Sequence, residues 1–116
     1  MNEAYPLVAL GGALGSMARY GLAAMVAALT GPAFPWGTLL INVTGSFIIG
    51  LFATLHASLG MKAFVMVGIC GGFTTFSSFS LQTLELARGG KLLRAAMYVL
   101  SSAGLCLAFV WLGTQI

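Results

Sequence analysis

Four long apolar blocks follow one another along this chain, separated by short clusters of charged and turn-forming residues. The first runs roughly over 6–29, with Pro6 placed where a helix can start. Thr30-Gly31-Pro32-Ala33-Phe34-Pro35 breaks it. Trp36 then stands where an aromatic-belt residue meets an interface. The second block covers roughly 36–59 and ends in Gly60-Met61-Lys62, and the third covers 63–84. Arg88-Gly89-Gly90-Lys91 makes the next loop, and the fourth block runs over 92–113 with Trp111 near its far end. Each is close to the ~20 apolar residues that cross a bilayer as a helix. The pattern predicts an all-α membrane protein, four transmembrane helices forming one membrane domain over 1–116.

The third block departs from plain apolar patterning. Gly71-Gly72-Phe73-Thr74-Thr75-Phe76-Ser77-Ser78-Phe79-Ser80 lies inside Ala63–Leu84, which holds no charged residue. Two adjacent glycines and a hydroxyl cluster predict that the third helix is broken near the midplane, at 71–75. Hydrocarbon offers no partner to the amides and carbonyls freed there, so such a break is expected to line a cavity or hold an ion. Phenylalanines interleaved with hydroxyls add a passage with apolar and hydrogen-bonding walls, the pattern of a permeation site and not of an enzyme.

Composition supports the membrane assignment. Hydrophobic residues make up 59% and charged residues 6%, against about 25% charged in soluble domains. The acids are Glu3 and Glu85; the bases are Arg19, Lys62, Arg88, Lys91 and Arg94. The net charge of +3 forms no basic face for nucleic acid. Arg88, Lys91 and Arg94 suit a loop at a membrane surface. Residues 1–6 hold Glu3 and no base, unlike a signal peptide, so the first block is expected to persist as a span. One side of the membrane receives Lys62 and the other Arg88, Lys91 and Arg94. The bias favours an outward N-terminus, by a margin small enough to leave insertion in both orientations open. Gly11/Gly15 and Gly68/Gly72 are small-residue pairs that let helices approach closely. Four thin helices enclose little alone, so a dimer is expected.

Polar residues inside the blocks supply the candidate chemistry. Thr38, Asn42 and Ser46 recur every fourth residue and share a helix face. Asn42 is either interhelical glue or a donor to a dehydrating anion. Arg19 is either a helix-orienting anchor or a charge that draws anions into a vestibule. Phe76 and Phe79 share a face directly after the expected break. Their rings either pack or turn positive edges toward an anion, beside the hydroxyls of Thr75, Ser77, Ser78 and Ser80. Tyr98, Ser102 and Cys106 form an i, i+4, i+8 stripe on the fourth block, a packing device or the wall of a polar track. Cys70 and Cys106 read as small buried side chains without metal-site spacing, and His56 as interfacial. No acid lies deep in a span, so the carboxylate relay of proton coupling is missing. No catalytic constellation is present, and Gly11-Gly12-Ala13-Leu14-Gly15-Ser16 lacks the Lys of a phosphate loop.

These residues together resemble the Fluc (CrcB-type) fluoride channels over nearly the whole chain. The resemblance rests on Gly11-Gly12-Ala13-Leu14-Gly15 with Arg19-Tyr20, and on Trp36-Gly37-Thr38 with Asn42 and Gly45-Ser46-Phe47. It is carried most specifically by Gly71 through Ser80, with Tyr98 and Ser102 in support. It implies a dual-topology antiparallel homodimer in the bacterial inner membrane, two fluoride pathways and a central structural Na⁺ at the dimer interface. The Na⁺ would be bound by the backbone carbonyls of Gly71 and Thr74. The fluoride pathway would use Asn42, Phe76, Phe79 and Ser102, with Thr75, Ser78 and Tyr98 along the route and Arg19 at a vestibule. The function so implied is passive export of fluoride from the cytoplasm, which lowers its toxicity. The bias of three bases against one departs from even dual insertion and would also suit a paired heterodimer. Two other readings compete: a small proton-coupled multidrug exporter, which needs an acid where the first helix has Arg19, and a non-conducting membrane assembly subunit.

Overall fold

A computed structural model describes residues 4–116 of the chain; Glu3 lies outside them. Helix α1 spans Ala4–Thr30 and α2 spans Trp36–Thr54. The third span is composite: α3 (Leu59–Lys62), a π-helical segment (Ala63–Cys70), α4 (Gly71–Phe73) and α5 (Phe76–Arg88). Helix α6 covers Leu92–Gln115. Four spans, with 59–88 taken as the third, are long and apolar enough to cross a membrane, so this is a multi-pass membrane protein. Its long dimension of 48 Å matches the ~40–45 Å of a bilayer with its headgroups.

Turn chemistry moves one boundary away from the hydropathy pattern. The second helix ends at Thr54, short of the expected 59, because Leu55 turns extended and Ser58 caps the next helix, accepting from the Met61 N–H at 3.1 Å. The π-helical segment has no hydropathy signature. Its wider turn, closed by i→i+5 bonds, lies against α1.

The two glycines are not themselves the interruption expected over 71–75. Gly71 keeps helical angles (φ −62°, ψ −39°), and α4 runs on through Phe73. Only Thr74 (φ −80°, ψ 157°) and Thr75 (φ −150°, ψ 123°) are extended before α5 begins. The glycines serve contact instead. A methyl group on Gly72 would lie 3.1 Å from the Gly12 Cα, and one on Gly68 would lie 3.0 Å from the Gly11 Cα. A methyl on Gly15 would run into the Ile69 carbonyl. The two small-residue pairs read from the sequence therefore lie in one contact, with Gly11 against Gly68 and Gly72 against Gly12, seating α1 on the third span.

A second close approach joins α2 to α6. Methyl groups on Gly50 and Gly113 would run into the Val110 and Phe47 carbonyls. Helix α2 is the most enclosed span, with 33% of its most apolar window buried against 6% for α1. Leu39, Leu86, Ala95 and Tyr98 form a small core, with Phe34, Val43 and Phe79 packed on it. Large apolar side chains elsewhere, such as Tyr20, Leu29 and Leu107, face outward, as expected where the surroundings are lipid or another copy of the chain.

Candidate functional site

The extended Thr74–Thr75 link leaves backbone groups that a helix would have paired, and side chains take them over. Asn42 on α2 donates from Nδ2 to the Thr75 carbonyl at 3.0 Å and accepts from the Thr75 N–H at Oδ1, 2.8 Å. One side-chain amide thus stands in for a whole peptide partner. An amide nitrogen carries two hydrogens, so a second N–H remains available. Thr75 caps α5, its Oγ1 accepting from the Ser78 N–H at 3.2 Å. Thr74 turns both its N–H (2.9 Å) and its hydroxyl (2.8 Å) to the Cys70 carbonyl. Its methyl sits over Gly45, where any Cβ would collide with it.

The extended link parts four carbonyls, those of residues 71–74, from their helical donors, and two of those donors have new partners. In a continuing helix the Thr75 N–H would bond Gly71 O and the Ser78 N–H would bond Thr74 O. The first donor goes to Asn42 and the second to Thr75 Oγ1. Gly71 is exposed, and a methyl group there would find nothing nearer than the Met66 carbonyl at 4.0 Å. Carbonyl oxygens freed in this way are hard ligands of the kind that suit a hard cation. No group of three or more His, Cys, Asp or Glu that could hold a metal lies among the described residues, so a transition metal lacks its usual ligands here.

Beside the link lies a groove of about 410 Å³ between α2, α5 and α6. Its polar wall is made by Asn42, Ser46, Thr75 and Ser102, and the Phe76 and Phe79 rings stand along it. The ring centroids are 5.7 Å apart, tilted by 45°. Phe76 is 79% exposed, whereas Phe79 packs on Tyr98 with centroids 5.0 Å apart. Opposite Asn42, Ser102 is 6% exposed, and its Oγ has no hydrogen-bond partner. A buried hydroxyl without a partner costs about 1–3 kcal/mol.

Asn42, Thr75, Phe76, Phe79 and Ser102 therefore come together, and Thr74 joins them. The remaining sequence candidates stand elsewhere. Ser78 contributes its backbone N–H to the cap. Tyr98 is fully buried behind Phe79 and donates to Gln82 Oε1 at 2.9 Å. A second cavity of about 380 Å³, at the end of the bundle, is lined by Thr38, Gln82, Glu85 and Lys91. Tyr98 touches the walls of both spaces, meeting Phe79 on one side and Phe34 and Gln82 on the other. Arg19 lines neither; its Nε donates to the Gly72 carbonyl at 3.3 Å. Gln82 escaped the sequence reading, although its place three residues after Phe79 puts it on that ring's helix face.

The sequence pattern of the family described as "CrcB-like protein, Camphor Resistance (CrcB)" matches residues 6–114. The chain is 57% identical to the fluoride-specific ion channel FluC of Opitutus terrae over 116 residues, covering 94% of this chain and 88% of that one. It is 55% identical to the protein of the same name from Paramagnetospirillum magneticum, with 94% and 91% covered. With a Thermus thermophilus protein of that name the identity is 49%, with 98% and 94% covered.

Proposed function

The chain belongs to the CrcB-like family, and from that membership and the groove we propose that it is a passive, fluoride-selective channel that carries fluoride out of the cytoplasm. It is a channel and not an enzyme. The observation that carries the reading is the partnerless Ser102 hydroxyl in the groove wall. A small, strongly hydrated anion gives up water only where donors replace it. Ser102 Oγ–H and the second Asn42 N–H are two such donors on facing helices. The positive edges of Phe76 and Phe79 add weak, oriented attraction without a full charge that would trap the ion.

Thr75 belongs to the groove wall, Ser78 and Tyr98 extend the route beyond it with Tyr98 leading toward Gln82, and Arg19 adds positive potential from outside the groove. Hydrogen fluoride enters cells as a neutral weak acid and dissociates inside. The anion then leaves down the membrane potential, so the deep carboxylate of a coupled transporter is not required. The working unit in this proposal is an antiparallel dimer of identical chains in the bacterial inner membrane, with two pathways and the Thr74–Thr75 link at mid-bilayer depth. The released carbonyls of Gly71 and Thr74, with their copies, hold one Na⁺ between the subunits as a structural ion.

Purified protein in fluoride-loaded liposomes tests the channel reading. Rapid fluoride loss with chloride retained, and no proton gradient imposed, is the expected result. Fluoride retention by liposomes containing folded, inserted protein would overturn it.

A further inference from the structure

Of the two free cysteines, Cys70 is buried at 1% exposure, whereas Cys106 is partly open and forms part of the groove wall. Cys106 lies one helical turn beyond Ser102 on α6, so the two side chains share a face. The same stretch of wall therefore carries a thiol and a hydroxyl that is 94% buried and without a partner. The groove of about 410 Å³ has room for a group larger than an ion beside that thiol.

We propose that Cys106 is a covalent modification site of the fluoride groove, open to small thiol-directed electrophiles such as alkyl thiosulfonates, and that its modification shuts the pathway. The inference rests on the channel reading only for the shutting, not for the reactivity. In the reaction the Cys106 thiol gives its proton to water and the thiolate attacks the sulfenyl sulfur of methyl methanethiosulfonate. A Cys106–S–S–CH₃ bond forms, and methanesulfinate departs with the electron pair of the broken S–S bond. The added methylthio group then projects into the groove that Val99, Ser102 and Ala103 also line. A thiol reducing agent reverses the step by the same exchange.

The experiment treats reconstituted full-length protein with methyl methanethiosulfonate, maps the modified peptides by mass spectrometry and measures fluoride efflux on the same sample. The expected result is modification of Cys106 with Cys70 spared, a fall in efflux of about tenfold or more as the bore fills, and recovery after dithiothreitol. The Cys106→Ala protein should show the same efflux before and after reagent. An unmodified Cys106 in treated wild-type protein overturns the proposal, as does inhibition that persists in Cys106→Ala. Wild-type protein that is modified at Cys106 yet carries no fluoride before treatment would leave the modification site standing and sink the channel reading instead.

Discussion

Ser102 and Asn42 separate stability from conduction at the level of single residues. Ser102 Oγ is buried without a partner, so Ser102→Ala removes a penalty of about 1–3 kcal/mol along with a donor to the ion. The variant is expected to melt no lower than the parent in detergent while fluoride efflux falls several-fold. A lower melting point with unchanged efflux would mark Ser102 as a packing residue. Asn42 works the other way, because two hydrogen bonds hold the Thr75 backbone. Asn42→Asp keeps the acceptor for the Thr75 N–H, loses the donor and puts a negative charge on the anion path. Conduction should vanish; a folded Asn42→Asp protein with normal efflux would remove the residue from the pathway. The two rings differ as well. Phe76→Ile should lower efflux with little change in stability, since Phe76 is mostly exposed. Phe79→Ile also loses its contact with Tyr98, a pair worth about 0.5–1.5 kcal/mol. Efflux and thermal unfolding measured on both variants check this, and wild-type efflux in each would return the rings to a packing role.

Helix contacts in this chain depend on where a methyl group fits. Gly12 has open space beside its Cα, whereas a Cβ on Gly15 would meet the Ile69 carbonyl. Gly12→Ala is therefore expected to fold normally. Gly15→Ala should push α1 off the π-helical segment, at the about 1–3 kcal/mol typical of overpacking. Thermal unfolding in detergent would reveal the difference, and equal melting points would refute this account of the α1 contact. The third span obeys the same economy of space. Gly72 stays helical to meet Gly12, and the chain leaves the helix only two residues later. There Asn42 and the Thr75 hydroxyl take the donors from two helical carbonyls.

A single copy of the molecule leaves its longest helix, α1, the least enclosed of the four spans, and the Thr74–Thr75 link parts backbone carbonyls from their helical donors. An ion held between copies would couple assembly to its supply. Replacing Na⁺ with a large organic cation throughout purification should lower both dimer recovery and efflux. Unchanged dimer recovery without Na⁺ would exclude a structural role for the ion. Membrane orientation is decided at this scale too. Single cysteines added at either terminus of a Cys-free chain, labelled with an impermeant reagent in intact cells, should react on both faces. Labelling on one face alone would rule out an antiparallel pair of identical chains.

Hydropathy and charge were enough, from sequence alone, to determine four spans, a multi-pass membrane chain and the absence of a deep acid, because burial in lipid constrains side-chain type residue by residue. The family and the cluster of Asn42, Phe76, Phe79 and Ser102 were also legible, since polar residues in hydrocarbon are costly and stand out. Three-dimensional packing alone decided that the link falls at Thr74–Thr75 and not at the glycines, and that Arg19 binds a backbone carbonyl away from the groove. It also decided that Tyr98 lies behind Phe79 with Gln82 as its partner. Those outcomes depend on which backbone groups lose their helical partners and which neighbouring side chain reaches them, and hydrophobic periodicity carries no record of either.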